Sequence, residues 1–279
     1  MSDDRPIGVF DSGSGGLTVA RAVLDSLPGE PLLYVGDTAR FPYGPRPLEE
    51  IRGYALEIAG YLIGRNVKML VVACNSIEVA AIEEVTAAAG LPVIGVIDPG
   101  VRAAVRATHN GRVGLIGTEA TVASGAYERA VARTGHDIRL FSEACPAFVD
   151  YVERGDTASA ELFGIARDYL APLQAAGVDT LILGCTHYPL LSGLISYVMG
   201  PDVRLISSAE ETAKDVFATL LREGLRNEDP RPANHEFVCT GDPALFRRIA
   251  EVFLGPSIPE VRTAVPGGFQ ATAEVIGWS

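Results

Sequence analysis

Short runs of apolar, often β-branched residues alternate along the chain with longer stretches whose apolar positions recur at helical spacing. That alternation predicts parallel strands covered by helices, the α/β class. Strands are expected at Pro6–Phe10, Pro31–Val35, Lys68–Ala73 and Pro92–Ile97, then at Arg112–Ile116, Ile138–Phe141, Asp179–Leu183 and Val203–Ile206. Set one above the other, the eight make two sets of four in the same order. Ile7-Gly8-Val9-Phe10 matches Val113-Gly114-Leu115-Ile116, and Lys68-Met69-Leu70-Val71-Val72-Ala73-Cys74-Asn75 matches Asp179-Thr180-Leu181-Ile182-Leu183-Gly184-Cys185-Thr186. The third strand of each set runs into a cysteine. A repeat this long is a domain duplication, because a solenoid unit would be much shorter. Two pseudo-symmetric, doubly wound halves with mainly parallel sheets follow, with an active site in the cleft between them.

After the second set, Ser208-Ala209-Glu210-Glu211 reads as a capping box that opens a helix to about Glu223. The polar stretch Asn227–Asn234 leads to one more strand near Glu236–Cys239 and a helix over Ala244–Phe253. This segment is too small to form a third domain, so it is expected to dock onto the first half. The expected organisation is a discontinuous first domain of residues 1–97 and 208–265, a second of 98–207, and a flexible tail at 266–279, where Gly267-Gly268 carries no period.

Charge narrows the choice of partner. Lys plus Arg number 23 against 35 Asp plus Glu, a net charge of −12, and no basic patch offsets it, so nucleic acid is not an expected partner. With 48% hydrophobic residues and no run long enough to span a bilayer, the chain reads as globular. The start, Met-Ser-Asp-Asp-Arg-Pro, lacks the basic-then-apolar plan of a signal peptide. A cytoplasmic location is therefore expected, with Cys74, Cys145, Cys185 and Cys239 kept as thiols.

In open parallel sheets, ligands collect outside the carboxyl ends of strands, where helices present unpaired N–H groups. The loops Asp11-Ser12-Gly13-Ser14-Gly15-Gly16 and Gly117-Thr118-Glu119-Ala120-Thr121 lie at such ends. Gly13, Gly15 and Gly16 allow close backbone approach, and Ser12, Thr118 and Thr121 add hydroxyls suited to a carboxylate or phosphate. Alone, such a loop is equally well a turn that reverses the chain. It matches neither a Walker A loop, which needs Gly-Lys-Ser/Thr, nor the full dinucleotide fingerprint. Cys74 and Cys185 each precede a helix N-terminus, whose dipole lowers a thiol pKa. A single such cysteine would read as a small buried hydrophobe. The duplication favours function instead, since facing halves bring the two thiols to opposite sides of one cleft.

Cys145 and Cys239 have no such mate and read as core. A zinc site at Cys185 and His187 lacks further ligands, so no metal is expected. No cofactor is expected either. Pyridoxal phosphate needs a lysine, but Lys68 opens a strand at the wrong end and Lys214 lies mid-helix without a phosphate cup.

From Ile7 to Asp242 the chain resembles the glutamate racemase family, cofactor-independent enzymes of bacterial cell-wall synthesis within the aspartate/glutamate racemase superfamily. The resemblance rests on five separated motifs: Asp11 to Gly16; Gly36-Asp37-Thr38 with Pro42-Tyr43-Gly44; Cys74-Asn75-Ser76; Gly117 to Thr121; and Gly184-Cys185-Thr186-His187-Tyr188-Pro189. It implies that Cys74 and Cys185 are the acid–base pair, and that Asp11, Ser12, Tyr43, Gly44, Asn75, Ser76, Thr186 and His187 hold the amino acid. Thr118 and Thr121 would add contacts to its carboxylates. The resemblance also implies that Asp11 assists Cys74, and that Glu153 joins His187 beside Cys185. A solvated or capping carboxylate is the alternative for both acids. Ser76 departs from the more usual threonine but keeps the hydroxyl.

Inverting a stereocentre without a cofactor requires proton removal on one face and delivery on the other, and two opposed thiols meet that need. A glutamate substrate and a homodimer are the expected partners. Two alternatives stay open: an aspartate or hydantoin racemase of the same superfamily, and a two-lobed protein that clamps a dicarboxylate.

Overall fold

The computed structural model describes residues 2–229, 231, 233–255 and 261–264. The four expected strands of the first half appear as β1 (Ile7–Asp11), β2 (Leu32–Gly36), β3 (Met69–Val72) and β4 (Val93–Ile94), and those of the second as β5 (Arg112–Gly117), β6 (Arg139–Ala144), β7 (Thr180–Gly184) and β8 (Arg204–Ile206). Two more follow, β9 (His235–Cys239) and β10 (Val261–Thr263). Their sheets have the orders β10-β9-β2-β1-β3-β4 and β6-β5-β7-β8. Each half thus repeats one topology, with its first strand between its second and third, and every pairing is parallel.

The segment after the duplication adds to the first sheet through β9, which lies beside β2. β10 was not foreseen, because three residues carry too little periodicity to declare a strand. The tail expected at 266–279 lies outside the described residues.

Buried parallel strands read as continuous apolar runs, and β1, β2 and β3 are buried at every position. Their two faces are covered by separate clusters. Leu17, Ala20 and Val23 of helix Leu17–Ser26 join Ala213, Val216 and Leu220 of helix Ala209–Glu223 on one face. On the other, Ile51, Ala55 and Ile58 of helix Leu48–Gly64 pack with Ile77, Ala81 and Val85 of helix Asn75–Ala89. The second sheet is sandwiched likewise, by Val101 and Tyr127 on one face and Leu162, Leu170 and Ile195 on the other.

The capping box expected at Ser208 is not formed. Ser208 is already helical (φ −72°, ψ −15°), so its hydroxyl makes no cap bond, and the Ser207 hydroxyl accepts from Ala209 N at 3.4 Å instead.

Where the chain passes from β4 towards the second sheet, helix Ile97–Ala107 starts without a cap of its own. Glu78, from helix Asn75–Ala89, supplies one: its Oε2 accepts Val96 N–H at 2.5 Å and Ile97 N–H at 3.0 Å. A Cβ at residue 95 would lie within 2.5 Å of that carboxyl, so glycine is required for the chain to wrap around it. Burial pushes the Glu78 carboxyl up to about 7, against the two N–H bonds, which pull it down. The native state therefore holds this proton more tightly than the unfolded chain does. Stability tied to Glu78 is complete below the ordinary glutamate range and declines as pH rises through about 7. Glu78→Gln removes this titration. In denaturant melts at pH 5 and pH 8, the mutant should gain about 1–3 kcal/mol relative to the parent at the higher pH. Parallel pH profiles would refute this assignment.

Candidate active site

Both cysteines of the repeat stand just past the carboxyl end of a central strand. Cys74 follows β3 in extended backbone (φ −148°, ψ 121°) and immediately precedes helix Asn75–Ala89. Cys185 follows β7, but its next element is a 3-10 turn, Tyr188–Leu191, ahead of helix Ser192–Met199. The helix expected directly after Cys185 is therefore displaced by a turn that begins Tyr188-Pro189.

The two thiols line one cavity of about 140 Å³, with Ser12, Tyr43, Gly44, Asn75, Ser76, Thr118, Thr186 and His187. Asp11, Glu153 and Thr121 do not line it. Thr121 stands behind Thr118, whose hydroxyl donates to it at 3.0 Å, while the Ser76 and Thr118 hydroxyls lie 3.0 Å apart across the two halves. Asp11 is fully buried, and its Oδ2 accepts the N–H groups of Gly13 and Gly16, both at 3.0 Å. Its Oδ1 has no partner among the described residues. Glu153 reaches the site only through His187.

On the Cys74 side, the thiol donates to Ser12 Oγ at 3.4 Å, which leaves the Ser12 hydroxyl proton free for a ligand. Burial, and then the neighbouring charge of Asp11, push the Cys74 thiol well above its ordinary range. The expectation of a dipole-lowered thiol is overturned here: desolvation outweighs the helix terminus. Burial also pushes the Asp11 carboxyl above its ordinary range.

On the Cys185 side, His187 Nδ1 lies 3.7 Å from Sγ, and His187 Nε2 lies 2.7 Å from Glu153 Oε1. Burial pulls the imidazole down, but the hydrogen bonds with Cys185 and Glu153 outweigh it and hold its pKa at about 10. For Glu153, burial pushes upward and is outweighed by the bond and charge of His187 and the hydroxyl of Ser14, which keep it below the ordinary range. An imidazolium–carboxylate pair thus stands behind one thiol and a buried carboxyl behind the other.

Tyr43 lines the cavity with its hydroxyl already engaged. Its hydroxyl donates to Asp37, which also accepts from Arg40 Nε at 2.6 Å and Thr240 Oγ1 at 2.7 Å. The phenol is thus bonded to Asp37, while the residue itself still lines the cavity. Asn75 is held in a similar way, its Nδ2 donating to Tyr127 OH at 2.8 Å, and its Oδ1 is buried without a partner among the described residues. Phe41, Pro45, Pro146, Val149 and Asp150 also line the cavity and were missed. Phe41 and Pro45 flank the Pro42-Tyr43-Gly44 motif, and Val149 and Asp150 precede Glu153 on its own helix.

The structure leaves the other candidates away from the cavity. Cys145 and Cys239 are buried, with their thiols on the carbonyls of Glu143 and Gly241. Lys68 is buried against Glu30 at 2.6 Å, and Lys214 pairs with Glu211. Among the described residues, no three His, Cys, Asp or Glu side chains cluster as metal ligands, and no helix is long and apolar enough to cross a membrane.

The Asp/Glu/Hydantoin racemase family profile matches residues 11–216. A glutamate racemase from Parafrankia sp. is 56% identical over 273 residues, covering 98% of each chain. Glutamate racemase isoform RacE1 from Bacillus anthracis superposes with a TM-score of 0.88 at 41% identity, over 95% of this chain and 98% of that one. The glutamate racemase from Francisella tularensis in complex with D-glutamate gives 0.88 at 35% identity, over 94% and 98%. By sequence along nearly its whole length and by fold, the chain belongs to the Asp/Glu/Hydantoin racemase family.

Proposed function

We propose that this protein interconverts L- and D-glutamate without a cofactor, with Cys74 and Cys185 as the two acid–base groups, and so supplies D-glutamate for peptidoglycan. The observation that carries this reading is the pair of thiols at equivalent points of the two repeats, lining one cavity. One thiolate takes the α-proton and leaves the electron pair on the α-carbon. The opposite thiol then delivers its proton to the other face, which leaves the second sulfur as the thiolate. Asp11 serves Cys74, while His187, backed by Glu153, exchanges a proton with Cys185.

The carbanion is the costly species. Each tenfold in rate is worth about 1.4 kcal/mol, so donors fixed in place before reaction must lower its barrier. Ser12, Asn75, Ser76, Thr118 and Thr186 offer such groups around the cavity, and the N-terminus of helix Asn75–Ala89 adds N–H groups that favour an anion. This local field acts against a net charge of −12. The lobes that carry the site are residues 1–97 with 208–265, and 98–207. The same reading makes the enzyme cytoplasmic and a homodimer, which a sedimentation mass of twice 29.5 kDa would support.

Incubation of the protein with pure D-glutamate is expected to abolish its circular dichroism signal, with full activity after dialysis against a chelator. In heavy water, early turnover is expected to place deuterium in the product enantiomer far faster than in the remaining substrate. Equal labelling of both pools from the start would point to one base reaching both faces and would remove the two-thiol assignment.

A further inference from the structure

Ser14 is buried in the glycine loop after β1, at 1% exposure, and nothing about that loop's role as an anion cradle requires its hydroxyl. The side chain turns away from its own half. Its Oγ donates at 2.6 Å to Oε1 of Glu153, the last residue of helix Ala147–Glu153 in the other half. The same oxygen receives His187 Nε2 at 2.7 Å, so a hydroxyl from the first half and an imidazole from the second converge on one atom.

The loop is pressed against this group along its length. A Cβ at Gly15 would stand 2.5 Å from His187 Nδ1 and 2.6 Å from Thr186 Oγ1, and the Thr18 hydroxyl reaches the Thr186 carbonyl at 3.4 Å. Ser14 is therefore held by its neighbours at the one place from which it can fix the Glu153 carboxylate. The carboxylate needs such fixing, because its side chain is still 22% exposed and it ends a helix of only seven residues.

We infer that Ser14 is a positioning residue for the Cys185 side of the reaction: it locks Glu153 from across the cleft, and Glu153 in turn holds the His187 imidazole against the Cys185 sulfur. This rests on the two-thiol reading above. It adds that the proton relay of one half is completed by a hydroxyl of the other, so the relay is aligned only when the two halves are together. Ser14 does not line the cavity, and its hydroxyl acts on the site through Glu153.

A double-mutant cycle tests this. Ser14→Ala is expected to lower kcat for glutamate about tenfold, the scale of one hydrogen bond to a charged group, with KM changed less than twofold. In a Glu153→Gln background, the same substitution should change kcat less than twofold, because the bond it removes is already weakened. The α-deuterium isotope effect should also change unequally for the two enantiomers in Ser14→Ala, since only one thiol loses its support. A Ser14→Ala protein with parental kcat, equal losses in both backgrounds, or an isotope effect shifted alike for both enantiomers would each overturn the assignment. Racemisation by the parent protein is measured in the same experiment, so failure of the two-thiol reading is seen separately.

Discussion

Replacing either Cys74 or Cys185 with alanine is expected to lower kcat for glutamate racemisation by about 10²- to 10⁴-fold, the usual contribution of one positioned acid or base. The two losses should differ in kind. Cys74→Ala keeps Cys185 with His187 and Glu153, whose contacts at 3.7 and 2.7 Å do not involve Cys74. The remaining thiol can still remove and return a proton on its own face. This variant should therefore exchange the α-proton of one enantiomer with solvent without inverting it, and Cys185→Ala should do so for the other enantiomer. Proton NMR of pure L- and D-glutamate in heavy water reads both outcomes. Exchange of the same enantiomer by both variants, or racemisation near the parental rate by either, would refute the division of faces.

Aspartate is expected to be turned over with a kcat/KM roughly 10- to 100-fold below that of glutamate. On the proposed two-thiol reading, glutamate has its α-carbon between the sulfurs and sets its second carboxylate against the fixed donors that the family resemblance nominates, Ser12, Tyr43 and Gly44. The Tyr43 hydroxyl is bonded to Asp37, so of the side chains at that end the Ser12 hydroxyl is the one left to donate. Aspartate is one methylene shorter. It either pulls its α-carbon out of line with the sulfurs or leaves buried donors unpaired, at about 1–3 kcal/mol for each. Comparable kcat/KM values for the two amino acids would instead favour a broad-specificity racemase.

The strands were legible because burial on both faces of a parallel sheet forces continuous apolar runs, and β1, β2 and β3 are buried at every position. The duplication was legible for the same reason: equivalent strands face equivalent demands, and their order in the sheets repeats as the sequence does. Motif residues at strand ends could be named in advance because a strand end is set locally. Ser12, Cys74, Asn75, Ser76, Thr118, Cys185, Thr186 and His187 all line the cavity.

Pairings between distant residues were not legible. No local pattern tells that Tyr43 spends its hydroxyl on Asp37, that Tyr127 holds Asn75, that Glu78 caps a helix beginning 19 residues later, or that Ser14 reaches Glu153 across 139 residues. Nor does the sequence set the protonation of Cys74. A helix N-terminus is a local feature and favours the thiolate, whereas desolvation depends on everything packed around the sulfur, and in the folded protein desolvation wins. By itself the sequence determined which strands form, in what order they repeat and which side chains stand at their carboxyl ends, since short-range sterics and burial decide these. The tertiary structure alone decided which of those side chains are spent on one another and which remain free for a substrate, because hydrogen bonds and desolvation are properties of neighbours in space.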